Sequence, residues 1–255
     1  MSNPVIDLMH AHGSVRQYRP DPVPIETVTS IIHAAQRAST SSNLQLWTVV
    51  AVSDAEKRGR LAELCGNQHH VAEAPVFLAW LADLARLDRV CDLRGYDQVT
   101  DYVENFLVAA VDVAIAAQNA AVAAESLGLG ICYIGGLRNH PAEVLELLEM
   151  PHLTFPIAGM TLGWPAADPP RRPRLDPAAV LHWEHYDTTE QDRLLAAYDQ
   201  AMIDTGIYQG RQVAVPDKPG EMESYGWLEH SARRVSRPAR TGLRQVLEDQ
   251  GFLLK

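Results

Sequence analysis

Cysteine is scarce in this sequence. Only three cysteines occur among the 255 residues, Cys65, Cys91 and Cys132, and they are far apart with no paired spacing. This excludes a disulfide framework and a cysteine zinc site. Reduced thiols favour a cytoplasmic location, and the N-terminal residues lack the basic leader that would predict export.

Positive charge is also in short supply. The chain has 22 Lys and Arg against 32 Asp and Glu, a formal charge of −10. Such a surface repels nucleic acid and anionic membranes, so neither is an expected partner, and any bound anion requires a local cationic pocket. The longest apolar stretch, Leu107 to Leu129, is interrupted by Asp112 and Glu125. It therefore predicts a buried helix and not a membrane span.

Several signatures of common enzymes are missing. There is no Walker phosphate loop, and Gly128-Leu129-Gly130 lacks the third glycine of the dinucleotide fingerprint. The nucleophile elbow and the two-histidine zinc helix are absent as well. The pairs His69 with His70 and His182 with His185 lack the geometry of a ligand set, so no metal site is predicted.

Helices and strands alternate along the chain without a regular repeat. Periodicity and breakers predict strands at Trp47–Val52, Val76–Leu81, Gly130–Gly136 and Pro156–Trp164, and helices at Ile25–Arg37, Asp54–Gly66, Gln98–Leu127, Pro141–Met150 and Glu190–Asp204. A loop is expected over Thr205–Tyr225, followed by a basic helical tail over Trp227–Gln250. The many alanines of the long central helix allow another helix or a partner subunit to approach closely.

The clearest break in composition is Pro165–Pro177, which holds five prolines and three arginines. It predicts an extended connector and an internal boundary. Within it, Arg171-Arg172-Pro173-Arg174 presents two guanidinium groups two residues apart, suited to forked contacts with a phosphate. The alternative is an ordinary solvated basic turn.

Two further segments could bind an anion or a polar ligand. In His12-Gly13-Ser14-Val15-Arg16, alternation along an extended chain would place an imidazole, a hydroxyl and a guanidinium on one side. A capping serine beside a solvent-facing arginine is the alternative. The polar run Ser39–Asn43 either contacts a polar ligand or is simply a turn.

Taken in order, these pieces resemble the FMN-dependent nitroreductase family, within it the oxygen-insensitive NADPH nitroreductase and flavin reductase branch. The resemblance covers nearly the whole chain. It is carried by six motifs: His12–Arg16, Ser39–Gln45, Gly66–Ala72, Ala117–Ala120 with Ala124–Gly130, Tyr133–Asn139, and Leu162–Pro165 followed by Arg172–Leu175.

The resemblance implies an α+β fold with a central, mainly antiparallel sheet flanked by helices, in an intertwined homodimer that binds FMN. His12, Ser14, Arg172 and Arg174 match residues around the FMN phosphate. Arg16 matches a cation at the ribityl chain and the pyrimidine edge, where it would favour the reduced flavin. The flavin rim is matched by Thr40, Ser41, Ser42, Asn43 and Gln68, and the hydride-accepting nitrogen by the backbone of Tyr133, Ile134, Gly135 and Gly136.

The resemblance further implies an NAD(P)H oxidoreductase that passes two electrons by a ping-pong mechanism to nitroaromatics, quinones or flavins. A non-catalytic flavin carrier or regulator is the alternative, and an anion-binding subunit without flavin is a third. The chain departs from the pattern at Gly13, where the family has arginine, at Arg172, where it has lysine, and in the loop that would hold the NADPH phosphate, where only Arg211 remains.

The same resemblance predicts a single domain over residues 1–255. Within it, residues 188–255 form an extension that wraps the partner subunit, with Gly251–Lys255 as a candidate edge strand.

Overall fold

The computed structural model describes residues 3–215, 218 and 220–255. They form two compact units, and the division falls inside the proline-rich connector. The first unit runs to Pro170 and includes Arg240–Lys255, while the second is Arg171–Ala239. The sequence-based prediction of one domain with an extension from residue 188 stays a prediction.

Ten α-helices and six strands occur among the described residues. In chain order the helices are α1 (Pro4–Ala11), α2 (Ile25–Ala35), α3 (Ala55–Leu64), α4 (His69–Glu73), α5 (Ala85–Arg94), α6 (Val103–Ser126), α7 (Pro141–Leu147), α8 (Gln191–Asp204), α9 (Trp227–Val235) and α10 (Leu243–Asp249). The strands are β1 (Trp47–Val52), β2 (Val76–Asp83), β3 (Gly130–Ile134), β4 (Thr154–Gly163), β5 (Gln212–Ala214) and β6 (Met222–Ser224). Short 3-10 turns lie at Ser41–Asn43, Gly135–Arg138 and Pro177–Ala179.

The first unit is built on a four-stranded antiparallel sheet in the order β1-β2-β4-β3. Strand β2 is buried at all eight positions because helices cover both faces of the sheet. Its alternate side chains Leu78 and Trp80 join a core with α2 and α6, whereas Phe77 and Leu81 join a second core with α3, α4 and α7. The expected α+β class with an antiparallel central sheet is confirmed.

Helix α6 is the longest element and passes through the first core. Its alanines at 116, 117, 120, 121 and 124 are buried against β2, β3 and α2, so their smooth face serves packing within the chain. By length and composition alone, α6 could span a membrane. The fully buried Asp112 and the alanine face packed into the core are instead typical of a helix inside a globular unit.

The elements differ from the sequence-based expectations in several places; for example, the expected helical tail over Trp227–Gln250 is two helices, α9 and α10. Helix α6 begins at Val103 and not at Gln98, and α5, which has no buried residue, was not predicted. The expected loop over Thr205–Tyr225 contains the hairpin of β5 and β6. Residues Gly251–Lys255 form no strand in the single chain, because Phe252 is drawn into a core where it packs edge-on against Phe106.

Candidate active site

The segment His12–Arg16 runs extended along the edge of the sheet, where the Val15 amide donates to the Ile131 carbonyl at 2.9 Å. Gly13 and Val15 are buried, whereas His12, Ser14 and Arg16 are not. The predicted alternation is therefore confirmed. The structure also explains the missing arginine at position 13, because even a Cβ there would lie 2.8 Å from Pro169 Cγ.

His12 is held by a partner that sequence reasoning missed. Its Nδ1 lies 2.5 Å from Oε1 of Glu125, in the last turn of α6, and the Glu125 side chain is only 13% exposed. An ionised carboxylate only accepts hydrogen bonds, so Nδ1 donates and Nε2 is the ring nitrogen left for a ligand. The two residues are 113 positions apart, and no local pattern in the sequence links them.

Arg16, in the N-terminal segment, lies close enough to residues of β3 and α4 for its charge to shift their pKa values. Burial raises the pKa of the Cys132 thiol, and the Arg16 charge and a hydrogen bond from Ser14 partly offset the rise. Burial also lowers the pKa of His70, and Arg16 lowers it further. None of the ion pairs formed by the described residues involves Arg16. The site therefore contains an exposed guanidinium that forms no ion pair with any carboxylate of the described residues.

The glycines after β3 lie against the turn that carries Gln68. Gln68 Nε2 donates to the Cys65 carbonyl at 2.7 Å, and a Cβ on Gly136 would lie 2.7 Å from the same nitrogen. Gly135 is open, since its nearest neighbour would be Arg138 Nη2 at 3.6 Å. The backbone is thus bare at Gly135 while Gly136 allows close packing. Four predicted residues, Tyr133 to Gly136, therefore lie together with Gln68.

Tyr133 is the exposed member of this group, with 38% of its surface accessible. Its hydroxyl lies 3.5 Å from Gln118 Oε1 on α6. Burial, and then the nearby Glu125 charge, raises the pKa of its phenol, so Tyr133 stays neutral at physiological pH.

The loop Thr40–Asn43 is held by Asp112, a second residue that sequence reasoning missed. This carboxylate is 2% exposed and accepts from the Thr40 hydroxyl at 2.5 Å and from the amides of Ser41 and Leu46, both at 3.1 Å. Ser42 and Asn43 have positive φ angles of 48° and 55°. The carboxylate thus fixes a backbone that these residues adopt rarely.

The anchors of the two predicted parts of the site lie far apart in one chain. Asp112 and Glu125 are separated by 13 positions of α6. At about 1.5 Å and about 100° per residue, this corresponds to about 20 Å along the axis and nearly opposite sides of the helix. The structure brings residues 12–16, 68 and 133–136 together, and it anchors loop 40–43 at the other end of α6.

The remaining predicted residues belong to the second unit. Arg172 and Arg174 are exposed, and Arg174 Nη1 donates to the carbonyls of Arg172 and Pro173 at 3.0 and 3.2 Å. The Tyr198 hydroxyl on α8 donates to the Pro173 carbonyl at 3.2 Å. Arg211 lies at the start of the hairpin with its guanidinium carbon 5.8 Å from the Tyr225 ring centre.

Known proteins with related sequences were found over the whole chain. The nitroreductase family matches residues 10–164, and the C-terminal domain of the same family matches residues 172–255. A Cr(VI) reductase from Pseudomonas sp. is 42% identical over 248 residues, covering 97% of this chain and 98% of that protein. An oxygen-insensitive NADPH nitroreductase from Salmonella typhimurium is 35% identical over 250 residues, covering 98% of each.

Solved structures agree with these relatives. One of them is the NADPH:FMN oxidoreductase from Vibrio harveyi, solved in complex with NAD+. It superposes with a TM-score of 0.87 at 34% identity, and the match covers 99% of this chain and 100% of the Vibrio harveyi chain. Sequence and fold therefore lead to the same conclusion, which confirms the resemblance carried by the six motifs: the chain belongs to the nitroreductase family.

Proposed function

We propose that this protein is an FMN-dependent NAD(P)H oxidoreductase that passes two electrons to small-molecule acceptors. One observation carries the proposal. The guanidinium of Arg16, which forms no ion pair with the described residues, lies close enough to Cys132 on β3 and to His70 on α4 to shift the pKa of both. Strand β3 leads directly into the bare backbone of Gly135, and Gln68 immediately precedes α4. Segments that are 50 to 120 positions apart in the sequence thus form one surface suited to a planar ring with polar edges.

FMN fits the residues of this surface. The buried Nε2 of His70 has no hydrogen-bond partner among the described residues, which leaves one polar atom for a ligand. One N–H of the Gln68 amide donates to the Cys65 carbonyl, which leaves the amide oxygen and the second N–H for a ring edge. The Ser14 hydroxyl is a candidate donor to the phosphate, and His12 Nε2 donates to it when both ring nitrogens carry a proton. Arg172 and Arg174 of the second unit are proposed as further phosphate contacts on the family resemblance alone.

FMN, when bound, supplies the hydride chemistry, and the protein supplies position and charge. Arg16 stabilises the negative charge that two electrons bring to the pyrimidine edge. The open backbone at Gly135 would leave a bound flavin accessible to the nicotinamide and to the acceptor. An open face provides few buried contacts that could reject a substrate, and nitroaromatics, quinones and free flavins are therefore all acceptors.

The functional molecule is a homodimer in the cytoplasm. Helix α6 exposes Val103, Leu107, Val111 and Ile115 at four-residue intervals, between 39% and 54% each, which forms an apolar stripe along one side. A stripe of this kind is typical of a protein interface. Because loop 40–43 is anchored about 20 Å along α6 from Glu125, we place it on the flavin of the partner subunit.

Anaerobic addition of NADPH or NADH to the purified yellow protein tests this function. One equivalent of either nucleotide is expected to bleach the flavin absorbance before any acceptor is present, and the acceptor then restores it. Double-reciprocal plots should be parallel, as a ping-pong mechanism requires. If neither nucleotide bleaches bound FMN, the protein is a flavin carrier or regulator, and if it binds no FMN, the cofactor assignment is wrong.

A further inference from the structure

Two further arginines of the first unit, Arg138 and Arg240, lie beside the bare backbone of Gly135. A Cβ built on Gly135 would lie 3.6 Å from Nη2 of Arg138. Arg240 begins the part of the chain that returns to the first unit, and its Nε donates to Asn139 Oδ1 at 3.0 Å. Because Asn139 directly follows Arg138, the two guanidinium groups belong to one place in the fold, which we call the arginine pair.

The arginine pair is positioned by neutral groups. Nη1 of Arg138 donates to the backbone carbonyl of Ile157 on β4. Arg240 has a φ angle of 53°, a backbone conformation that residues other than glycine rarely adopt. Nδ2 of its partner Asn139 lies 3.3 Å from the position that a Cβ on Gly66 would take, in the turn before α4. Both arginines are half-buried, and neither is oriented by a carboxylate.

The arginine pair keeps its positive charge. In the part of the chain that the structure describes, no ion pair involves Arg138 or Arg240. Burial lowers the pKa of the Arg138 guanidinium, and the nearby charge of Arg240 lowers it further. Arginine nevertheless stays protonated in proteins. Two like charges that are partly removed from water repel each other, and an anion bound between them would relieve the repulsion.

We propose that the arginine pair binds an anionic group of the electron acceptor, such as a carboxylate, so that the enzyme favours acidic acceptors over neutral ones. The inference rests on the proposed function, in which the acceptor reaches the flavin at Gly135. A guanidinium group matches the planar carboxylate by charge-assisted, forked hydrogen bonds. The open face rejects few substrates, and the arginine pair adds a preference among them. The bulk of the protein has a net charge of −10, so this preference has to come from a local cationic site.

Calorimetry on the FMN-loaded, oxidised protein tests the site with benzoate and benzamide. The two probes have similar shapes and differ in charge, and neither accepts electrons here, so the measurement needs no turnover. We expect benzoate to bind at least about 10-fold more tightly. Arg138→Gln and Arg240→Gln should each lower the benzoate-to-benzamide affinity ratio about 10-fold, and Arg138→Lys should lower it less. Arg60→Gln is the matched control, since Arg60 is an exposed arginine of the same unit paired with Glu63 at 2.6 Å.

Steady-state rates with 4-nitrobenzoate and 4-nitrobenzamide give a second readout. The ratio of the two kcat/KM values is compared between variant and wild type, so that the different intrinsic reactivity of the two nitro groups cancels. We expect this ratio to fall about 10-fold in each Gln variant, mainly through a higher KM for 4-nitrobenzoate. If Arg138→Gln fails to fold because the Ile157 carbonyl loses its donor, Arg240→Gln decides alone, since the side chain of Arg240 contacts an exposed asparagine.

The outcomes separate this inference from the proposed function. Equal affinity for benzoate and benzamide, or Gln variants that behave like Arg60→Gln, would overturn the acceptor site even if NADPH or NADH bleaches the flavin. Failure of both nucleotides to bleach the flavin would instead refute the proposed function. In that case the calorimetry still decides whether the arginine pair binds a carboxylate.

Discussion

Glu125 controls what His12 can offer to a phosphate. A free imidazole can rotate and exchange which nitrogen carries the proton, whereas the 2.5 Å contact with a carboxylate that is 13% exposed fixes both the ring plane and the donor. The same carboxylate lies near the Tyr133 phenol. Burial is the main cause of the raised pKa of that phenol, and the Glu125 charge raises it further. One residue at the end of α6 therefore sets the orientation of one predicted FMN contact and adds to the raised pKa of another.

Replacing Glu125 by Gln is expected to weaken FMN binding about 10-fold, or about 1.4 kcal/mol, because the ring loses its charged hydrogen-bond acceptor. Fluorescence titration of the apoprotein with FMN measures the change. A double-mutant cycle with His12→Gln provides the control. If Glu125 acts through His12, the second substitution adds little to the first, and a full additive loss in the double variant would contradict this role.

The secondary-structure elements were largely predictable from local patterns, but their partners were not. Strand β1 was predicted to the residue and β2 to within two residues, because both are apolar runs between clear breakers. Helix α5 was missed since it has no buried face, and the hairpin of β5 and β6 because its strands have three residues each. Asp112 and Glu125 were visible only as interruptions of an apolar run, since the groups they bind lie 66 to 113 positions away.

The tie between α6 and loop 40–46 can be tested with Asp112→Asn. The asparagine amide has the same shape as the carboxylate, but an NH2 donor replaces one of the two acceptor oxygens. The groups around it, the Thr40 hydroxyl and the amides of Ser41 and Leu46, are donors too, so one of them loses its acceptor. We expect the free energy of unfolding to fall by about 2 kcal/mol, the cost of leaving buried donors without acceptors. Thermal unfolding followed by circular dichroism gives the stability, and FMN retention after gel filtration should fall with it. Asp88→Asn on the exposed face of α5 is the control, and an equal loss there would refute the explanation.

At the scale of the whole molecule, the position of loop 40–43 decides how many subunits form one site. Its anchor Asp112 and the His12 anchor Glu125 are separated by 13 residues of a single straight helix. A helix of that length keeps them about 20 Å apart on nearly opposite sides. The exposed stripe from Val103 to Ile115 flanks the loop end of α6 and offers an apolar surface for a second copy. We therefore propose that a flavin touching both parts lies between two subunits.

Mixed dimers test this arrangement directly. Arg16→Ala removes the unpaired cation of the first cluster, and Ser41→Tyr places a bulky side chain on the exposed loop. Each variant alone is expected to lose activity as a homodimer. When the two are co-expressed with different tags and the heterodimer is isolated, one site contains both defects and the other contains none. Activity and bound FMN should then return to about half of the wild-type values, since dimer sites act independently.

The heterodimer gives a different result if the site lies within one subunit. Each site would then carry one of the two defects, and mixing would restore nothing. Failure to isolate a heterodimer, together with a monomeric mass for the active wild-type protein, would remove the need for a second subunit altogether. A site within one subunit cannot explain recovery of half the activity. One site stays intact in the heterodimer only if each subunit contributes its loop 40–43 to the site of the other.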